Sequence, residues 1–194
     1  MDRKESLIKE VLDRELKMFL TVPTLQKASC QEDPESFRLV RGSQFYIWSE
    51  KTIESYLNDI KKAEEKGKNL MTLKYARMDN LIPKLKDIPL VDKIVEIQLE
   101  WQKEMFNKYP CMMGRARPLS SSDDTSFATS FETYLRGELE TYSEKTLSLY
   151  YGDVRAGFKK GENMMEKMYI YMVKQLGYHS LDDAETTAKR ERPI

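Results

Sequence analysis

Histidine and cysteine are nearly missing from this 194-residue chain, and it carries no excess of either charge. His179 stands alone, which excludes His-rich metal sites and the usual His-based catalytic triads. Cys30 and Cys111 form no C-x-x-C pair, so the sequence points to free thiols in a reducing cytosol. With no histidine expected at the same end of the fold, neither thiol has a general base and both read as unreactive. Glu-x-x-His motifs are absent, which removes a ferritin-like dinuclear centre. No metal and no cofactor is expected. No apolar run approaches the roughly 18 residues of a membrane span, and the charged opening MDRKESLIKEVLDREL lacks the apolar stretch of a secretory signal. Lys plus Arg and Asp plus Glu are 32 each, a balance that argues against a surface built to coat nucleic acid or an anionic membrane. Strand patterns are also scarce.

What is present is helical periodicity, and it comes twice. Ser49-Glu50-Lys51-Thr52 recurs as Ser143-Glu144-Lys145-Thr146. At the same offset of 94 and without a gap, Tyr56, Asp59, Lys66-Gly67, Asn69, Met71, Tyr75 and Met78 match Tyr150, Asp153, Lys160-Gly161, Asn163, Met165, Tyr169 and Met172. Residues 49–78 and 143–172 share 12 identities in 30 positions, which points to an internal duplication. A weaker match at an offset of 83 pairs 11–16 with 94–99.

The expected fold is all-α: a single helical domain over 1–194, built as a bundle of two pseudo-twofold-related three-helix halves at about 2–78 and 91–176. In the first half helices are expected over about 2–20, from a cap at Asp33 with Pro34 in the first turn to Lys66, and over about 69–78. In the second they are expected over about 91–108, from the capping pattern Thr129-Ser130-Phe131-Glu132 to Lys160, and over about 163–176. Gly67 and Gly161 are placed to stop the long helices. Residues 109–128 read as a long lid or binding loop, the stretch after Tyr178 as a short acidic turn, and 189–194 as a frayed tail. Met164-Met165, Met168 and Met172 form a stripe that reads as core.

Polar residues on the apolar faces mark the candidate site. Gln44 and Glu138 occupy matched positions, each one turn before a large aromatic, Trp48 and Tyr142, and all four are expected to point inward. A carboxylate inside a bundle needs compensation, and Arg41 and Arg136 are close by in sequence. Arg115 and Arg117, in the long loop, are expected at the same end as both thiols, beside two positive helix N-termini. Two readings stand side by side. In one, these groups are a satisfied network linking the halves. In the other, they line a pocket for a small polar or anionic ligand or a peptide end. There Arg41, Arg115, Arg117 and Arg136 clamp the anion, Gln44 and Glu138 read a donor, Trp48 and Tyr142 form walls, and Glu138 is the candidate acid or base if a reaction occurs. The alternative function is a non-enzymatic interaction or regulatory module docking on a protein partner. A weaker reading brings the arginines to a nucleotide phosphate of a nucleotidyltransferase-like partner.

Several segments carry a family resemblance. They are Ala28-Ser29-Cys30-Gln31-Glu32-Asp33 with Phe37 and Arg41-Gly42-Ser43-Gln44-Phe45, then Arg115 and Arg117-Pro118, and the run from Ser130 to Leu139 with Thr141-Tyr142-Ser143. Over nearly its whole length the chain resembles the bacterial domain-of-unknown-function family numbered 4125. It departs from that pattern in a short linker at 79–90 and in Leu16, where an aromatic is common. The resemblance implies a bacterial cytosolic protein and supplies no activity.

Overall fold

The computed structural model describes residues 2–23, 32–125 and 127–191, so Cys30 lies outside the described residues. The described chain is helical without strands, and no helix in it is long and apolar enough to cross a membrane. The helices are α1 Arg3–Leu20, α2 Pro34–Tyr46, α3 Glu50–Glu65, α4 Leu70–Met78, α5 Pro89–Lys108, the single turn α6 Pro110–Met113, α7 Phe131–Leu139, α8 Glu144–Lys159, α9 Met164–Gln175 and α10 Leu181–Arg190.

Both expected long helices are broken in two. The signal for the break is the repeated Ser-Glu-Lys-Thr itself. The Ser49 hydroxyl accepts from the Thr52 backbone N–H and that of Ser143 from Thr146 N–H, so each serine starts a new helix rather than continuing the old one. The turns before them carry Trp48 and Tyr142 into the core, 1% and 0% exposed. Gly67 and Gly161 do end helices, with φ of 63° and 68°, where a side chain would be strained. Asn69 and Asn163 then cap α4 and α9 and also donate to the Met18 and Trp101 carbonyls, so one asparagine per half ties two helices together.

The chain's end departs from expectation. Residues 181–190 form α10, because Ser180 caps it and Leu181, Ala184 and Ala188 give it a buried stripe against α6 and α9. The 109–128 segment is tied down. It holds α6 and a 3-10 turn at Ser121–Asp123, and Pro118 and Leu119 carbonyls accept from the first N–H groups of α7.

The packing repeats in kind. α1 lies on α2, α3 and α4, as α5 lies on α7, α8 and α9. Across the halves α3 packs on α8, α2 on α9 and α4 on α7. At the α3–α8 contact each half caps the other. Asp153 Oδ2 accepts from Ser49 N–H at 3.0 Å and the Thr52 hydroxyl at 2.7 Å, while Asp59 Oδ2 accepts from Ser143 N–H at 2.9 Å and the Thr146 hydroxyl at 2.6 Å. Each carboxylate therefore holds a helix N-terminus of the other half. Replacing Asp59 or Asp153 by Ala is expected to cost about 2 kcal/mol apiece, on the scale of hydrogen bonds to a charged group. Chemical denaturation at neutral pH measures it.

Candidate functional site

Four helices each bring one charged side chain to a buried cluster: Glu15 from α1, Arg41 from α2, Lys74 from α4 and Glu138 from α7, none more than 2% exposed. Arg41 grips Glu15 with two bonds, Nε to Oε2 at 2.9 Å and Nη2 to Oε1 at 2.6 Å, and its Nη1 donates to both Glu138 oxygens at 2.9 Å and to Gln44 Oε1 at 2.6 Å. Glu138 also accepts from Lys74 Nζ at 2.6 Å, Gln44 Nε2 at 3.1 Å and the Tyr142 hydroxyl. The Tyr56 hydroxyl donates to Glu15 at 2.6 Å. Two carboxylates and two cations sum to zero, so the cluster satisfies itself. Gly137 makes the approach of α7 to α4 possible: a Cβ there would sit 2.9 Å from Met78 Cγ and 3.2 Å from the Lys74 carbonyl oxygen.

Burial and neighbouring charge act strongly on Glu138, Arg41, Tyr56 and Tyr142. Burial would raise the Glu138 carboxyl, but the charges of Arg41 and Lys74, with hydrogen bonds from Lys74 and Tyr142, hold it well below the usual glutamate range. Burial would lower Arg41, and Glu138 with Glu15 overcomes that and drives it well up. Tyr56 and Tyr142 are pushed well above the usual phenol value, first by burial and then by Glu15 and Glu138 respectively. An aromatic layer backs the cluster: Tyr56 stands 4.7 Å from Tyr142, and Trp48 stands 4.5 Å from Tyr150, centroid to centroid.

Beside the cluster lies a cavity of about 400 Å³ between the halves. Its lining includes residues matched in the repeat: Phe37 and Phe131, Gln44 and Glu138, Tyr75 and Tyr169. Phe19, Tyr134, Met165, Met168 and Met172 add apolar wall. The polar lining away from the ion cluster includes Gln98 and Gln102 from α5 with Tyr150 and Tyr169, and also Ser36 and Arg117. Gln98 Nε2 donates to the Tyr150 hydroxyl at 2.7 Å and Gln102 Nε2 to that of Tyr169 at 3.0 Å. At the offset of 94 the counterparts of Arg41 and Lys74 are Leu135 and Met168, and both of these line the cavity together with Arg41 itself.

The structure brings together Arg41, Gln44, Glu138 and Tyr142, and sets Trp48 behind Tyr150. It does not gather the four arginines. Arg115 is exposed and pairs with Glu191 at 2.7 Å. Arg136 turns to the outside, where Asp92 and Glu132 bind it at 2.6 and 3.1 Å, because residues two apart on a helix emerge on opposite sides and Glu138 faces the core. Arg117 lies at the cavity rim with its guanidinium 4.7 Å from the centre of the Tyr134 ring. Cys111 is half-buried and its backbone N–H donates to Glu185. Among the described residues no group of His, Cys, Asp and Glu could hold a metal ion.

Sequence reasoning missed Glu15, Lys74, Gln98 and Gln102. A signal existed for each. Glu15 and Gln98 match at the offset of 83 and bond the matched tyrosines Tyr56 and Tyr150. Lys74 interrupts the stripe of Met71 and Met78 on α4. Gln102 lies one turn beyond Gln98.

A family model described as protein of unknown function (DUF4125) matches residues 5–186. No curated protein and no solved structure matches the chain.

Arg41→Met leaves two buried carboxylates short of a partner and is expected to cost about 3–5 kcal/mol, measured by denaturant titration. The pH dependence has a definite sign. A carboxyl whose folded pKa is depressed contributes fully above its unfolded value, near 4.5, and that contribution fades as the pH falls below it. Wild type should therefore lose stability with acidification more steeply than Glu138→Gln when both are titrated over about pH 3–7.

Proposed function

The chain belongs to the DUF4125 family of unknown function, and from that premise we propose that it binds a small molecule in the cavity between its halves. One observation carries the reading: a cavity of about 400 Å³ with aromatic and methionine walls and a few polar groups. That is the size and make-up of small-molecule sites. In this reading the ion cluster is the scaffold of the site rather than its chemistry. Glu138 is surrounded by donors and held ionised, which suits a fixed anion that orients Arg41 and Gln44 and suits neither a proton donor nor a base. The ligand therefore meets a neutral floor, and an anionic group on it would be met at the rim.

We infer further that the halves descend from one duplicated unit. The matched caps, the crossed Asp59 and Asp153 bonds and the paired cavity residues support this. A bacterial cytoplasmic setting is consistent with the near absence of cysteine.

A second reading, docking on a protein partner, is favoured by Phe127, which is 99% exposed beside a surface groove that also borders Arg136. The two readings separate in a thermal-shift screen of small aromatic and aliphatic compounds. Binding in the cavity predicts hits that raise the melting temperature, since a ligand at 100 times its Kd adds about 2.7 kcal/mol. Those hits should vanish in Met168→Trp, which fills the space, and persist in Arg115→Ala and Arg136→Ala. A screen without hits, or hits indifferent to Met168→Trp, would sink the cavity reading.

A further inference from the structure

Two polar groups on the cavity wall lack the partners their chemistry calls for, and they differ in kind. Gln102 is 2% exposed, and its Oε1 accepts no hydrogen bond among the described residues, while its Nε2 is spent on Tyr169. A buried carbonyl oxygen left in that state costs free energy that a donor on an occupant would recover. Arg117 is exposed at the rim. Its Nη1 donates to the Thr129 carbonyl at 3.0 Å, and no acidic side chain among the described residues pairs with it. Its other N–H donors have no protein acceptor among the described residues, and the guanidinium carbon stands 4.7 Å from the centre of the Tyr134 ring. A guanidinium with spare donors is a receptor for a carboxylate, which it can grip with two bonds. The remaining charges near the cavity, Arg41, Lys74, Glu15 and Glu138, already cancel one another. The same wall carries aromatic rings and thioethers, with Phe37, Phe131, Tyr169 and Met168 among its residues.

We infer that the cavity takes an aromatic carboxylic acid bearing one N–H or O–H donor: the carboxylate on Arg117 at the rim, the aromatic body between the ring and methionine walls, and the donor on Gln102 Oε1 inside. This rests on the cavity reading and adds the chemical class of the occupant. No bond is made or broken in it.

Three probes and four variants test it by calorimetric titration of the full chain. The probes are indole-3-propionate, its uncharged primary amide, and 3-(1-naphthyl)propionate, which keeps the charge and lacks the N–H. The acid should bind wild type more tightly than the amide or the naphthyl analogue. Arg117→Ala should weaken the acid by about tenfold or more and leave the amide unchanged. Arg117→Lys, which keeps charge and loses the fork, should fall between. Gln102→Leu should weaken the indole acid and spare the naphthyl acid. Met168→Trp should abolish all three. Equal affinities for acid and amide, an Arg117→Ala effect that strikes both alike, or no binding by any of the three would overturn the inference. If the amide binds as well as the acid and Met168→Trp removes both, the cavity reading survives while the assignment of the acid falls. Should Met168→Trp leave binding intact, both fall together.

Discussion

Two carboxylates taken out of water in the same place oblige the chain to bring two cations after them. Glu15 and Glu138 belong to helices far apart in sequence, and Arg41 bonds both at once. Lys74 supplies the second positive charge from a fourth helix. An isolated buried carboxylate would be driven to take up a proton; here Arg41 and Lys74 hold the Glu138 carboxyl well below the usual glutamate range. The positions of α1, α2, α4 and α7 follow, since moving any of them by an ångström or two would expose a charge to an apolar wall. The same demand accounts for Gly137, which lets α7 come close enough to α4 for the lysine to arrive.

The other side of the molecule does without that demand. Gln98 stands where the first half has Glu15, and Leu135 and Met168 stand where it has Arg41 and Lys74. Neutral side chains need no counter-charge, and all three line the cavity beside Arg41 and Glu138. An occupant of that cavity meets walls whose electrostatic balance is already settled, so it can be selected by shape, by a hydrogen bond and by contact at the rim.

Much of this was legible in the residue order, and the illegible parts have physical reasons. Helical periodicity, the stops at Gly67 and Gly161 and the inward pairing of Gln44 with Glu138 follow from local rules and spacing, and the structure agrees with them. The breaks at Ser49 and Ser143 were written in the repeated tetrapeptide, but a serine followed by Glu-Lys-Thr also fits an unbroken helix, and only the burial of Trp48 and Tyr142 decides for the turn. Helix α10 was hidden because two of the three residues in its stripe, Ala184 and Ala188, carry little hydrophobic signal. The arginines divide in two groups. Arg41 stands three residues before Gln44 and Arg136 two before Glu138, so the first shares a helix face with its polar neighbour and the second does not. Arg115 and Arg117 follow α6 outside any helix, where no periodic spacing fixes their surroundings.

Trp48 gives the molecule an optical property. Its indole is almost sealed from solvent and stands 4.5 Å from the ring of Tyr150, which is itself part of the cavity wall. The chain's other tryptophan, Trp101, is also buried, and it lies one residue before Gln102 on α5. Native emission from this protein therefore originates entirely from shielded indoles, blue of free tryptophan, and one of the two chromophores shares a van der Waals boundary with the wall. The fold thus contains its own spectroscopic gauge of what fills the space between its halves.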